Sequence, residues 1–325
     1  MKLLAVGENH CYSRAMPQGL YVELPMRTEM ERLWQLTQDP ALHQRWDLRF
    51  STIRYLPKPE ENAPQQFLYE TRIGFGLAIA GEGESTGTRS GTTGERTSAL
   101  RFWSGDVKSL IRTGAGYWKY IPTGDGSIRF FTWYDYQTRF GVAGKLVDVV
   151  LFRPIMGWAT AWSFDRLRLW IEAEVAPEAV LRSSLTYGVC RSVVVFVWIW
   201  HGLVPKLLFH DPAELAMLSD VGIAAHWLPL MGAAEVIFGV LGLFIWRWRG
   251  YFALTGIAMI GALAVVTLRS PAQLTAAFNP VTLNLGVLGL CLCGWLAHFN
   301  SAFAGRCLRK SRTVQPEKAT DAVHI

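Results

Sequence analysis

Charge is scarce in the last third of this chain. Residues 187–300 hold five Lys or Arg and four Asp or Glu, against 22 and 20 over residues 1–186. So few ionisable groups over such a length exclude an ordinary water-facing surface and point to a lipid environment. Nor is a secretory leader expected at the start. The opening "MKLLAVGENHCYSRAM" has an apolar run of about five residues, below the ~7–15 of a signal peptide, so the first 180 residues are expected to stay in the cytoplasm. Cysteine is sparse: Cys11, Cys190, Cys291, Cys293 and Cys307. Their spacing suggests neither a zinc site nor a disulfide framework, and Cys291 and Cys293 point in different directions on a helix. No metal site is expected. The glycine-rich "GEGESTGTRSGTTGERTS" (81–98) has no Gly-Lys-Ser/Thr after it and no strand–loop–helix context. It reads as two strands joined by a hairpin, not as a phosphate loop. No stripe of Lys and Arg interleaved with aromatics runs through the soluble part, so no nucleic acid is expected as partner. The net charge of +6 comes largely from membrane-flanking basic residues and the tail.

Four apolar runs do occupy the charge-poor third, at about 192–209, 221–246, 251–268 and 281–299. Each is near the ~20 residues that cross a bilayer as a helix. Basic residues sort by side: Arg182 and Arg191 before the first run, Arg247 and Arg249 between the second and third, and Arg306, Arg309, Lys310 and Arg312 after the fourth. The positive-inside rule then puts both termini and the "RWRG" turn in the cytoplasm. The expectation is a multi-pass protein of the bacterial cytoplasmic (inner) membrane type, with the lipid bilayer as its first partner.

The soluble part reads as a flexible arm (1–18), a strand at "LYVELPM" (20–26), and a helical segment (27–46) broken at Asp39-Pro40. About six more strands punctuated by Gly, Pro, Asn and Asp follow. "PTGDGS" (122–127) is the clearest hairpin turn. A long helical segment, about 143–173, closes the unit, with Pro154 and Gly157 expected to bend or split it. Such a curved antiparallel sheet can fold around its last helix, and the space between is either core or a cavity. Trp46, Phe67, Tyr69, Phe102, Trp103, Tyr117, Trp118, Phe131 and Trp133 are the candidate cavity residues, of which alternation turns about half inward. This layout, together with "RWDLRFSTIRYLP" (45–57), resembles the START-like superfamily of polyketide cyclases, coenzyme-Q-binding proteins and birch-pollen allergens over about residues 20–175. The resemblance implies a helix-grip fold around a hydrophobic pocket. It implies no particular reaction, and no catalytic residue is assigned. His43, Asp47 and Asp135 are the groups nearby that a cyclase-like or hydrolytic enzyme could use for acid–base work.

Polar residues inside the apolar runs are the sharpest feature of the remainder. His201 and Glu235 lie midway along the first and second runs, ten and twelve residues from Arg191 and Arg247. Those separations are ~15 and ~18 Å of helical rise, so the two side chains can share a depth. They can pair structurally or form a ligand or proton site. Lys206, Asn279 and Asn284 make a second polar group nearer the outer end. There Lys206 could snorkel to the interface or meet Asn284, and Asn279 before Pro280 could be a helix cap. The segments "WIWHGLVPKLLF", "GAAEVIFGVLGL" and "RSPAQLTAAFNPVTLNLG" resemble the DoxX-like family of four-helix membrane proteins over about residues 180–300. Some relatives are associated with thiosulfate:quinone oxidoreductase and terminal quinol oxidases, which makes quinone the cofactor or ligand implied. The expected architecture is an α+β helix-grip domain (19–176) followed by an all-α four-helix transmembrane bundle (177–300) and a disordered tail (301–325). The expected function is binding, sensing or transfer of an apolar or quinone-like molecule. The alternative is a subunit of a quinone-linked membrane oxidoreductase that needs a partner electron carrier.

Overall fold

The computed structural model describes residues 19–275, 277 and 279–310; the expected arm (1–18) and the tail beyond 310 lie outside the described residues. The chain divides into two compact units. One comprises the described residues up to Gln44, Arg49–Thr160 and the described residues from Cys307; the other comprises Arg45–Leu48 and Ala161–Arg306. The boundary expected at 176/177 therefore falls inside the second unit. The reason is local packing: Trp162, Leu169, Val180 and Ala302 bury one another in a single cluster.

The first unit holds seven strands: β1 (Leu20–Arg27), β2 (Thr52–Tyr55), β3 (Gln66–Gly74), β4 (Leu77–Ser90), β5 (Arg96–Trp103), β6 (Ile111–Pro122) and β7 (Ser127–Thr138). They form one antiparallel sheet in the order β1-β7-β6-β5-β4-β3-β2. Consecutive strands from β2 to β7 are hairpins, and the first strand closes on the last. The β6–β7 turn uses Gly124 and Gly126 at φ +77°. Its Asp125 carboxylate accepts from Ser127 N, Ser127 Oγ and Thr123 Oγ1, and these bonds hold it down at about 2.

Helices α1 (Met30–Gln38) and α2 (Pro40–Trp46) are separated where Pro40 cannot continue α1. The Asp39 carboxylate then accepts from Ala41 N at 2.8 Å, starting α2. Both helices lie on one face of the sheet. Thr37 Oγ1 is 2.8 Å from the Tyr120 hydroxyl, and the rings of Trp34 and Tyr120 are 5.1 Å apart. The last helical segment is α3 (Gly141–Val147), a π segment (Asp148–Phe152) and α4 (Arg153–Glu172). The wider π turn ends just where Pro154 lacks an N–H to give. On the same sheet face the Tyr134 hydroxyl meets Thr160 Oγ1 at 2.9 Å. This is the grip arrangement of the START-like fold.

Residues 301–310 are folded, which corrects the disordered tail expected from 301 onward. Ser301, Ala302 and Phe303 are buried. Leu308 pairs with Glu23 on the free edge of β1, with N···O distances of 3.0 and 2.9 Å. The chain thereby covers a strand edge that would otherwise present unpaired backbone groups.

The second unit continues with α5 (Pro177–His201), a π segment (Gly202–Leu208) holding Pro205, α6 (Pro212–Asp220), α7 (Leu228–Phe244), α8 (Gly250–Arg269) and α9 (Pro280–His298). Four helical stretches are long and apolar enough to cross a membrane: 177–208, 225–244, 250–269 and 280–298. The first starts earlier than the apolar run at 192, because Pro177 at the first turn opens a helix that continues unbroken. Tyr187, Cys190, Val194, Val195, Tyr251, Phe252, Val287, Cys291 and Phe303 fill the bundle interior. Cys291 is buried and Cys293 exposed, as a helical separation of two residues requires.

Candidate functional site

Strand register sorts the predicted aromatic residues onto opposite faces. Phe67, Tyr69, Phe102 and Trp118 share the face on which α1 packs, whereas Trp103, Tyr117, Phe131 and Trp133 point the other way. The latter four cannot line a space with the former. Outside the grip Tyr117 stands edge-on to Phe131 at 6.2 Å and stacks on Trp133 at 6.1 Å, and Trp103 donates to the Glu82 carboxylate at 3.3 Å. Trp46 is fully buried against Phe164 in the second unit. Trp118 is core, edge-on to His43 and Phe130.

What remains inside is Phe67, Tyr69 and Phe102, and these three are half-buried. One row of directly opposed residues crosses six strands: Tyr55, Phe67, Gly83, Phe102, Gly114 and Tyr136. Aromatics and glycines alternate along most of it, and the rings lie down over the neighbouring glycines. A Cβ added at Gly83 would fall 2.3 Å from Phe67 Cζ, and one at Gly114 would fall 2.3 Å from Phe102 Cζ. Tyr69 lies over Gly81 in the same way, with 2.2 Å left for a Cβ. The glycines thus convert standing side chains into a low apolar floor. Tyr69 donates to the Trp103 carbonyl at 3.3 Å, and burial pushes its phenol up to about 12. Burial, then the hydrogen bond to the Asp148 carboxylate, also raises Tyr136. Both phenols are neutral at neutral pH; charge stands at the Tyr136 end of the row, where the Arg153 guanidinium lies 4.8 Å over the ring.

The polar residues of the bundle come together differently from the sequence expectation. Lys206 does not snorkel: it is 7% exposed. Its Nζ lies 3.1 Å from Glu235 Oε2 and 3.2 Å from Glu214 Oε1, and it donates to the His201 carbonyl at 3.4 Å. Glu235 therefore takes Lys206, not His201, as its partner. Removing a lone charge from mid-bilayer saves at least ~2.5–3.5 kcal/mol, which is what drives the pairing. Close approach makes it geometrically possible. A Cβ at Gly202 would lie 2.4 Å from the Gly232 carbonyl oxygen and 2.9 Å from Glu235 Cβ, so the two helices touch at this level through glycine. Asn279 caps α9, its Oδ1 accepting from Thr282 N at 3.0 Å. Asn284 is buried on α9. Among the described residues no group of His, Cys, Asp and Glu has the arrangement of a metal site.

Glu214 was absent from the sequence candidates because the connection between the first two runs lacks an apolar run. The signal was "DPAEL" (211–215): Asp211 caps α6 by accepting from Ala213 N at 2.8 Å, and Pro212 opens it. Arg191 was also misplaced. Read as a flanking charge, it is fully buried. Its guanidinium donates to Gly242 O at 3.0 and 2.9 Å, to Ile245 O at 2.9 Å and to Trp248 O at 3.2 Å. It also lies 3.9 Å over the Tyr251 ring. Tyr187 donates to the Trp246 carbonyl, and a His298 ring nitrogen lies 2.9 Å from the Arg247 carbonyl. Together they meet the carbonyls left open where α7 ends.

Two acid–base candidates have structural partners. Asp135 is held by Arg153 at 3.2 Å, and His43 stands edge-on to Phe50 and Trp118.

A model of the DoxX-like family matches residues 195–292. The uncharacterized membrane protein YndG of Bacillus subtilis (strain 168) is 43% identical over 222 residues, covering 68% of this chain and 81% of YndG. Among solved structures, a START superfamily protein from Mycobacterium smegmatis covers 49% of this chain and 100% of its own, at 12% identity and a TM-score of 0.35. A STAR-related lipid transfer protein from Xanthomonas axonopodis covers 46% and 84%, at 12% identity and a TM-score of 0.36. The identity with YndG, sustained over most of that protein's length, means that this chain belongs to the YndG family of membrane proteins, with a DoxX-like domain in its bundle.

Proposed function

We propose that this membrane protein binds an apolar, quinone-like molecule on the aromatic floor of its START-like domain and exchanges it with the lipid around its bundle, at the cytoplasmic face of a bacterial inner membrane. The observation that carries this reading is the row Phe67–Gly83–Phe102–Gly114, where glycines lay two half-buried rings flat on the sheet. A sheet meant only to support a core places branched side chains at such positions, because they fill volume. A flat ring system laid on this floor and burying about 150 Å² of apolar surface gains about 4 kcal/mol. The neutral phenol of Tyr69 adds no charge to discourage it.

The test is equilibrium binding of a short-chain isoprenoid benzoquinone to the full-length protein in lipid nanodiscs. Phe67→Ala and Phe102→Ala should each weaken binding about tenfold, the loss of roughly half a buried ring contact. Trp133→Phe, on the opposite face, should leave it unchanged. Binding that ignores both floor substitutions, or that falls equally with Trp133→Phe, ends this reading.

A further inference from the structure

The buried cluster around Lys206 carries an excess of negative charge. One ammonium, Lys206, stands between two carboxylates at ion-pair distance, Glu214 on α6 and Glu235 on α7. If both acids were ionised the cluster would hold a net −1 in an apolar bundle, which a low-dielectric interior opposes. Hydrogen bonding distinguishes the two acids. Glu214 Oε1 accepts a hydrogen bond from Lys206 Nζ. Glu235 Oε2 is out of solvent and, among the described residues, accepts none: Lys206 Nζ is 3.1 Å away but not aligned with it. Glu235 also stands deeper, seven residues past Leu228, the first of α7, or ~10 Å of rise into that helix. Glu214 belongs to the short helix between spans. Other titratable groups on neighbouring elements are His201 at the end of α5, His210 ahead of α6, Asp211 and Asp220 at the two ends of α6, which accept from Ala213 N and Ser270 Oγ, and His226 in the turn ahead of α7, whose ring tilts over Trp227.

We propose that Glu235 is a proton-binding site of the bundle, and that the resting cluster is a Lys206 ammonium, a Glu214 carboxylate and a Glu235 carboxylic acid. The triad is then electrically neutral. The proton is its exchangeable ligand, and the Glu235 hydroxyl is a hydrogen-bond donor held inside the membrane part. Anions are excluded as ligands, because the Glu214 carboxylate opposes them and already takes the ammonium. The assignment stands independently of what the soluble domain binds.

Infrared spectroscopy of the full-length protein in nanodiscs at neutral pH, in H₂O and D₂O, tests it. The wild type should show a deuterium-sensitive protonated-carboxyl stretch that Glu235→Gln removes, Glu214→Gln retains and Glu235→Asp shifts. Lys206→Met should roughly double its area, since Glu214 loses its counter-ion and takes up a proton as well. A wild type without the band, as when the proton resides on His201, overturns the proposal. So does a band that keeps full intensity in Glu235→Gln. The Glu235→Asp shift keeps the assignment testable if the Gln variant does not fold.

Discussion

Arg191→Met should destabilise the bundle by about 3–5 kcal/mol, the range for stripping one partner from a buried charged network. The guanidinium makes four hydrogen bonds to the carbonyls of Gly242, Ile245 and Trp248. All three belong to the end of α7 or the turn after it, where backbone acceptors have no helical donor. Water cannot replace the lost donors inside an apolar bundle, so each orphaned carbonyl keeps its full cost of about 1–3 kcal/mol. The cation also opposes the negative end of the α7 dipole and lies over Tyr251 at 3.9 Å. Methionine restores the volume and none of these interactions. Arg191→Lys should fall between, because one ammonium keeps the charge but cannot fork to three carbonyls. Denaturant or thermal unfolding of the detergent-purified protein reads the order wild type, Lys, Met. A Met variant that unfolds with the wild type would show that the cage does not hold α7.

Lys206→Met should be nearly as costly, again about 3–5 kcal/mol, because it leaves Glu214 and Glu235 facing each other without a cation. The pH dependence has a definite sign. Without Lys206 the folded protein holds protons on these acids more tightly than the unfolded chain does. Stability is therefore retained at low pH and lost as pH rises, so acid should rescue the variant. The double variant Lys206→Met with Glu214→Gln removes the ammonium and the carboxylate that balances it together and should recover at least half of the loss. Stability curves from pH 5 to 8 for the three proteins measure both effects. A double variant no better than the single one would contradict the pairing.

Much of the architecture was legible because period and punctuation are local. β1 to β7 follow alternating runs ended by Gly, Pro or Asp, and the break at Asp39-Pro40 and the turn around Gly124 and Gly126 follow from φ restrictions alone. Pro154 announced irregular helix, though not that it would be π; the π segment around Pro205 was not anticipated. The site was less legible because it depends on register and on distant partners. Alternation told that half of the aromatics face inward but not which half, since a one-residue slip exchanges the faces. The floor needs Gly83 opposite Phe67 and Gly114 opposite Phe102, pairings that no single strand contains. The depth argument for His201 and Glu235 used Arg191 as a membrane-edge marker, whereas Arg191 is inside. The two helices meet at that level through Gly202 and Gly232 instead. Glu214 escaped notice because a nine-residue helix between spans has no periodicity long enough to stand out.

Native mass spectrometry of the full-length protein released from lipid nanodiscs tests the central claim most directly. Wild type should retain a lipid-soluble small molecule. The Gly83→Val, Gly114→Val variant should lose it, because each new side chain drives Phe67 or Phe102 off the sheet and fills the floor. A wild type that emerges bare, or a double valine variant that keeps the molecule, would contradict the account.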